Sequence, residues 1–203
     1  MIKKSIFITG GAGYVGSRLV PELLNDGYKV TVYDIMYYGN DFFPKSNNLN
    51  IISGDIRDSA KLEEACKNHE FFLHLACISN DNSFELDEKL STSINLTAFE
   101  PMVIVAKKAK IKRFIYASTS SVYGVSEKKE VKEDHPLIPL TLYNKYKGMC
   151  EPILFKHTDK NFEGVIFRPA TVCGYAPRQR FDLSVNILTN HAINKKKNYS
   201  IWG

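Results

Sequence analysis

Residues 7–19 read FITGGAGYVGSRL, and the glycines limit what can surround them. Gly10, Gly13 and Gly16 recur at every third position, directly after an apolar run and directly before a helix-like one. Glycine weakens a strand or helix interior by roughly 0.5–1 kcal/mol relative to alanine, so three of them mark the junction between two elements. A strand turning straight into a helix is the first half of a parallel crossover unit. The rest of the chain repeats that unit. Strands are expected over 5–9, 29–34, 50–53, 71–76, 113–117 and 164–168, several apolar almost throughout ("FFLHLA", "RFIYAS", "GVIFR"), as strands buried on both faces are. Helices are expected over 14–26, 59–68, 89–109, 143–158 and 183–194, so the fold class is α/β, a doubly wound parallel sheet. Pro21, Pro101 and Pro152 fall inside three of these helices and are expected to kink or split them. The closing residues, NYSIWG, read as a further strand, completed or cut off.

A chain of 203 residues with 44% hydrophobic and 24% charged residues fits one substantial soluble domain. The formal net charge of +5 is partly local, in Lys195–Lys196–Lys197 and in Lys107, Lys108, Lys110, Lys112 and Arg113. Such runs read as solvated helix faces or ends, and no nucleic-acid partner is expected. Cys66, Cys77, Cys150 and Cys173 are widely spaced, with no CxxC. They predict no disulfide framework and no zinc site, and point to a reducing cytoplasm. Cys77 and Cys173 are expected as small buried residues. The amino end is too polar for a signal peptide, and no run approaches a membrane span of about 20 apolar residues.

A glycine-rich turn opening a helix is also the usual seat for a pyrophosphate, because the helix N-terminus offers free amides and partial positive charge. The first glycine permits the tight turn, the second lets the backbone approach the ligand, and the third lets helix and sheet pack closely. An acid ending the next strand, Asp34 in "KVTVYD", would then accept from the adenosine ribose hydroxyls. Ile35 and Met36 follow it, with no basic residue to meet a 2′-phosphate, which favours NAD over NADP. Asp55 and Ile56, just past the third strand, are placed on the same edge near the adenine.

A second spacing concerns chemistry. Of eleven tyrosines, only Tyr143 has a lysine four residues on, Lys147, so the two share a helix face. A cation there is expected to lower the phenol pKa toward an acid/base role near neutrality. The strand before it runs into hydroxyl residues, delivering Ser118 and Thr119 to the carboxyl edge of the sheet, where ligands of such sheets bind.

Together, TGGAGYVG, Asp34, GDIRD, HLA, ASTSSVYG, YxxxK and the strand leading to Arg168-Pro169 resemble the extended short-chain dehydrogenase/reductase family, most closely its NAD-dependent nucleotide-sugar epimerase/dehydratase branch. The resemblance implies a catalytic set of Thr119, Tyr143 and Lys147, with Tyr143 as the base and Lys147 binding the nicotinamide ribose. It implies cofactor contacts from Gly10, Gly13, Tyr14, Val15, Gly16, Asp34, Asp55, Ile56, Leu75, Ala76, Asn95, Ser118 and Pro169. Ser79 and Asn80 are expected to face the sugar, with Thr119, and Arg178, Arg180 and Asn186 to lie near the substrate diphosphate. A polar loop with a helix cap around Asp182 is an equal reading of that last stretch. A homodimer is implied, pairing through the Tyr143 helix and the helix over 89–109.

Two departures shape the functional expectation. Sugar dehydratases of this family place Asp-Glu after the catalytic threonine, and this chain has Ser120-Ser121. Oxidation followed by reduction therefore fits better than dehydration: an NAD-dependent epimerase acting on a nucleotide sugar. The alternatives are a net NAD-dependent reductase or dehydrogenase, or a non-catalytic NAD-binding module. Family members also continue further, so the expectation is one dinucleotide-binding domain over 1–203. Residues from about 170 onward begin the substrate-binding region, with little or none of the usual C-terminal lobe.

Overall fold

The structure, a computed structural model, describes residues 4–194. Lys195, Lys196 and Lys197 and the strand expected in NYSIWG lie outside the described residues. Among the described residues six strands appear: β1 (Ser5–Thr9), β2 (Lys29–Asp34), β3 (Leu49–Ser53), β4 (Phe71–His74), β5 (Arg113–Ala117) and β6 (Glu163–Phe167). They form one parallel sheet in the order β3-β2-β1-β4-β5-β6. That order reverses direction between β1 and β4, and the crevice beyond the strand ends at such a switch point is where ligands of open α/β sheets bind.

Alternation along the strands builds a core on each face. Ile6, Ile8, Val30, Val32 and Leu73 point one way, onto Val20 of α1 (Tyr14–Asn25). Phe7, Tyr33, Phe72, Phe114 and Tyr116 point the other way. There they meet α2 (Ser59–Cys66), α5 (Phe99–Lys108) and α6 (Leu142–His157). Register aligns Phe7 with Phe72 and Phe72 with Phe114, giving an aromatic rung across three strands. The Phe72 and Phe114 rings stack at 4.7 Å. Two short helices, α3 (Asp81–Glu85) and α4 (Glu88–Thr92), and a last one, α7 (Ser184–Asn194), complete the set.

The prolines do not split their helices. α1 runs unbroken through Pro21 and α6 through Pro152. A proline costs a helix interior about 3 kcal/mol, but both helices are pinned by buried apolar faces: Val20, with Leu19, Leu23 and Leu24, in α1, and Cys150 and Leu154 in α6. Pro101 is the third residue of α5, in the first turn, where an amide has no intrahelical acceptor. The long helix expected over 89–109 is interrupted, but the break is a π-helical segment, Ser93–Thr97, around Asn95. The basic cluster lies at the amino edge of the sheet and is largely paired: Lys107 with Asp159, Lys112 with Glu70, and Arg113 with Glu163.

Candidate active site

At the carboxyl edge the glycine-rich turn is held as tightly as its sequence requires. Gly10 has φ +73°, and a Cβ there would run into the backbone of Ala76, just past β4. Gly16 packs its bare Cα against Gly11, seating the first turn of α1 beside β1. Gly13 is the N-cap of α1, no side chain caps that helix, and its first turn carries no acid. Uncapped amides and partial positive charge therefore face the crevice, the setting an anionic group fits. Asp34 closes the turn: Ala12 N donates to its Oδ2 and Met36 N to its Oδ1, both at 3.0 Å. Each carboxylate oxygen keeps acceptor capacity for a ribose hydroxyl.

A cleft of about 830 Å³ runs along this edge. Gly10, Gly13, Tyr14, Val15, Asp34, Asp55 and Ile56 line one end, Leu75, Ala76, Ser79 and Asn80 the middle, and Ser118, Tyr143 and Lys147 the other. Asp55 is gripped by Arg57, whose Nε donates to Oδ1 at 3.0 Å, and the guanidinium holds its carboxyl below the usual range.

Several predicted residues stand behind the cleft wall. Asn95 uses both ends of its amide on one residue. Ile78 N donates to Oδ1 at 2.9 Å and Nδ2 donates to Ile78 O at 2.8 Å, so the π-helical turn fixes the loop after β4. Pro169 O accepts from Ser120 N at 2.9 Å. Thr119 is off the wall as well, capping the 3₁₀ turn Ser120–Tyr123 by accepting from Ser121 N at 3.2 Å. That leaves the Thr119 hydroxyl proton free to be donated. Asn186 is buried, with Gly174 N donating to its Oδ1 and its Nδ2 donating to Tyr14 Oη and Arg180 O. Both Nδ2 protons are therefore spent on holding the loop.

The surroundings of Tyr143 depart from the sequence expectation. The Tyr143 phenol is pushed up rather than lowered, first by burial and then by Cys77 and Asp81. The cation that pulls it down is Arg180. Lys147 is aimed elsewhere: Nζ donates to Ala117 O at 2.7 Å and lies 6.0 Å from the Tyr143 ring centroid. Arg180 donates to Ser79 Oγ at 2.9 Å and is forked onto Asp182, which also accepts from Asn80 Nδ2 at 3.1 Å. The segment after β6 is thus tied to the loop after β4 across the cleft. The cysteines also differ from expectation: Cys173 is exposed and Cys77 is half-buried in the cleft wall, because both sit on loops at the strand ends.

Sequence reasoning missed Glu151. It is buried and accepts from Ser118 Oγ at 2.6 Å, Arg168 Nε at 3.0 Å and Arg168 Nη2 at 2.6 Å. Arg168 Nη1 donates onward to Tyr123 Oη at 2.7 Å. Its signal was present, since Tyr143, Lys147 and Glu151 recur at four-residue steps on one helix face.

The model of the NAD dependent epimerase/dehydratase family matches residues 6–203. The chain belongs to that family. Among curated members, "Putative UDP-arabinose 4-epimerase 4" of Arabidopsis thaliana is 32% identical over 86% of this chain and 43% of its own length. A solved UDP-N-acetylglucosamine 4-epimerase from Methanobrevibacter ruminantium, in complex with UDP-N-acetylmuramic acid, superposes with a TM-score of 0.80. It is 30% identical and is matched over 91% of this chain and 59% of that one. The UDP-glucose 4-epimerase of Thermus thermophilus, solved in complex with NAD, gives 0.79 at 25% identity, covering 93% and 61%. The chain spans about half the length of the curated family members it matches.

Proposed function

We propose that this chain is the NAD-binding part of a nucleotide-sugar epimerase, acting at C4 of a UDP-sugar. One observation carries the reading. Tyr143 and Lys147 share a single cleft with a glycine turn that leaves no room for a Cβ and leaves its helix uncapped. The names of the relatives support the choice of UDP-sugar and of C4. Ser120 and Ser121, where dehydratases carry Asp-Glu, support redox recycling over water elimination.

NAD, when bound, supplies a hydride acceptor and, in its oxidised form, a positive ring. Tyr143 Oη takes the proton from the sugar hydroxyl and returns it when the carbonyl is reduced. The phenol stands high in the structure through burial, so added positive charge is what brings it into working range. Arg180 already contributes in that direction. Lys147 holds the end of β5 through Ala117 O and presents its remaining protons to the nicotinamide ribose. Thr119, which the resemblance makes the catalytic hydroxyl, stands off the cleft wall and keeps its hydroxyl proton free beside Ser118. Asp34 accepts from the adenosine ribose.

Turnover of UDP-sugars with no net absorbance change at 340 nm is the expected result. Tyr143→Phe abolishes it and keeps NAD binding. Net NADH release would support the dehydrogenase reading instead, and unchanged turnover in Tyr143→Phe overturns the assignment of the base. A homodimer through α5 and α6 is part of the proposal, supported by exposed Ile104, Met149 and Phe155 on those helices, and light scattering tests it. A cytoplasmic setting rests on the four unpaired cysteines. Among the described residues no helix is long and apolar enough to cross a membrane.

A further inference from the structure

The segment after β6 crosses the mouth of the whole cleft. β6 is at one edge of the sheet and β2 is next to the other edge. On the way the segment is fastened to the loop behind each strand it passes. Pro169 O takes Ser120 N, past β5. Arg180 and Asp182 bind Ser79 and Asn80, past β4. Gly174 O accepts from Tyr14 Oη at 2.7 Å, and Arg178 N donates to Ser17 Oγ at 3.2 Å, both on α1 past β1. The farthest fastening lies beyond β2, where the Arg178 guanidinium sits 3.5 Å from the centroid of the Tyr38 ring, and the chain then turns back to the β4 loop at Arg180 and Asp182.

The two arginines of this segment therefore work at opposite ends. Arg180 is beside Tyr143 and Ser79. Arg178 is beside Tyr38 and the first turn of α1, the end lined by Asp34 and the glycine turn. Arg180 is neutralised by Asp182, whereas Arg178 forms no ion pair with a described carboxylate. Among the described residues its side chain also donates from Nη1 to Gln179 O at 2.9 Å. An uncompensated guanidinium, stacked on an aromatic ring beside an uncapped helix N-terminus, suits a pyrophosphate.

We infer that Arg178 and Tyr38 form a clasp over the dinucleotide, and that Arg178 serves cofactor retention rather than the substrate diphosphate expected from sequence. The inference rests on the NAD reading above. The chemistry gives the clasp a purpose. An epimerase must return the hydride it has taken, so the reduced cofactor has to stay bound through each cycle. A stacked pair that must part before the dinucleotide leaves slows that loss.

The test is the dissociation rate of NADH, followed by its fluorescence when the NADH-loaded chain is mixed with excess NAD. Arg178→Ala and Tyr38→Ala are each expected to speed dissociation about fivefold, the scale of a rim cation–π contact. The double variant is expected to do no more than the faster single one. Tyr38→Phe keeps the ring and is expected to match the unmodified chain, which separates stacking from fold damage; melting temperatures of all variants check the same point. UDP affinity, measured by calorimetry on the same proteins, is expected to be unchanged. NADH rates unaltered in both alanine variants overturn the clasp and leave the NAD reading standing. So does a loss confined to UDP affinity in Arg178→Ala, which returns Arg178 to the substrate. Failure of the unmodified chain to bind NADH overturns the NAD reading and the clasp with it.

Discussion

Removing Glu151 is the sharpest test of how the carboxyl edge of the sheet is braced. The Glu151 side chain is 4% exposed and that of Arg168 18%, so neither charge is well solvated. Breaking a buried pair by deleting one partner costs about 3–5 kcal/mol, because the survivor is left uncompensated. In Glu151→Met, Arg168 would keep Tyr123 Oη and Glu133 O as acceptors, and some water access. The cost should therefore lie at the low end, about 3 kcal/mol. Arg168→Met leaves a carboxylate whose one remaining donor is Ser118, and should cost more, about 4 kcal/mol. Replacing both at once removes both uncompensated charges, so the double variant should cost well below the sum of the two singles. Urea unfolding of the four proteins closes the cycle. Additive losses would refute the pairing, as would single losses below about 1 kcal/mol.

Other consequences are as direct. Gly10→Ala places a Cβ against the Ala76 backbone at positive φ and should abolish NAD binding. Gly27→Ala, also at positive φ but in open space, should cost only about 1 kcal/mol and leave binding intact; a thermal-shift titration with NAD separates the two. His74 is fully buried, which holds its pKa well below the usual histidine value of 6.5, and His69 is also lowered by burial. Below about pH 6.5 the unfolded chain therefore takes up protons that the folded chain refuses, and stability falls with pH. The slope approaches about 1.4 kcal/mol per pH unit per histidine. Urea midpoints between pH 7 and pH 5 should show this, and His74→Gln should flatten the slope; a pH-independent midpoint contradicts the burial argument. Thiol titration should label exposed Cys173 first and Cys77 more slowly, with NAD protecting Cys77. Cys66 and Cys150, whose thiols burial raises to about 11 and about 12, should react only on unfolding.

The strands were readable because a strand buried on both faces leaves a continuous apolar run, and each observed strand falls within a residue or two of its expected place. The glycine turn was readable because its conformation excludes other residues. What local pattern could not supply was long-range competition. Pro21 and Pro152 sit in intact helices because packing against the sheet outweighs one missing amide bond. The break in the 89–109 helix falls at Asn95, where an amide is needed to hold Ile78, a partner 17 positions away. The Tyr143 phenol was misjudged for a related reason: i,i+4 spacing gives proximity to Lys147, but burial and the reach of Arg180 are tertiary facts. Asn186 shows the same limit, since its amide is committed to Tyr14, 172 positions earlier.

The reach of the segment after β6 also bears on how the protein comes into being. During synthesis β1, α1 and β2 emerge before the other strands of the sheet, so the glycine turn and Asp34 can assemble while β4, β5 and β6 are unmade. The cover comes from residues that leave the ribosome more than a hundred positions later, and it docks only once β4 and β5 have placed the loops that receive it. An early nascent chain thus owns a berth with no roof. On the clasp reading, a dinucleotide that settled there before residue 178 emerged would lack its cover, so secure loading has to wait for β6 and the segment beyond it.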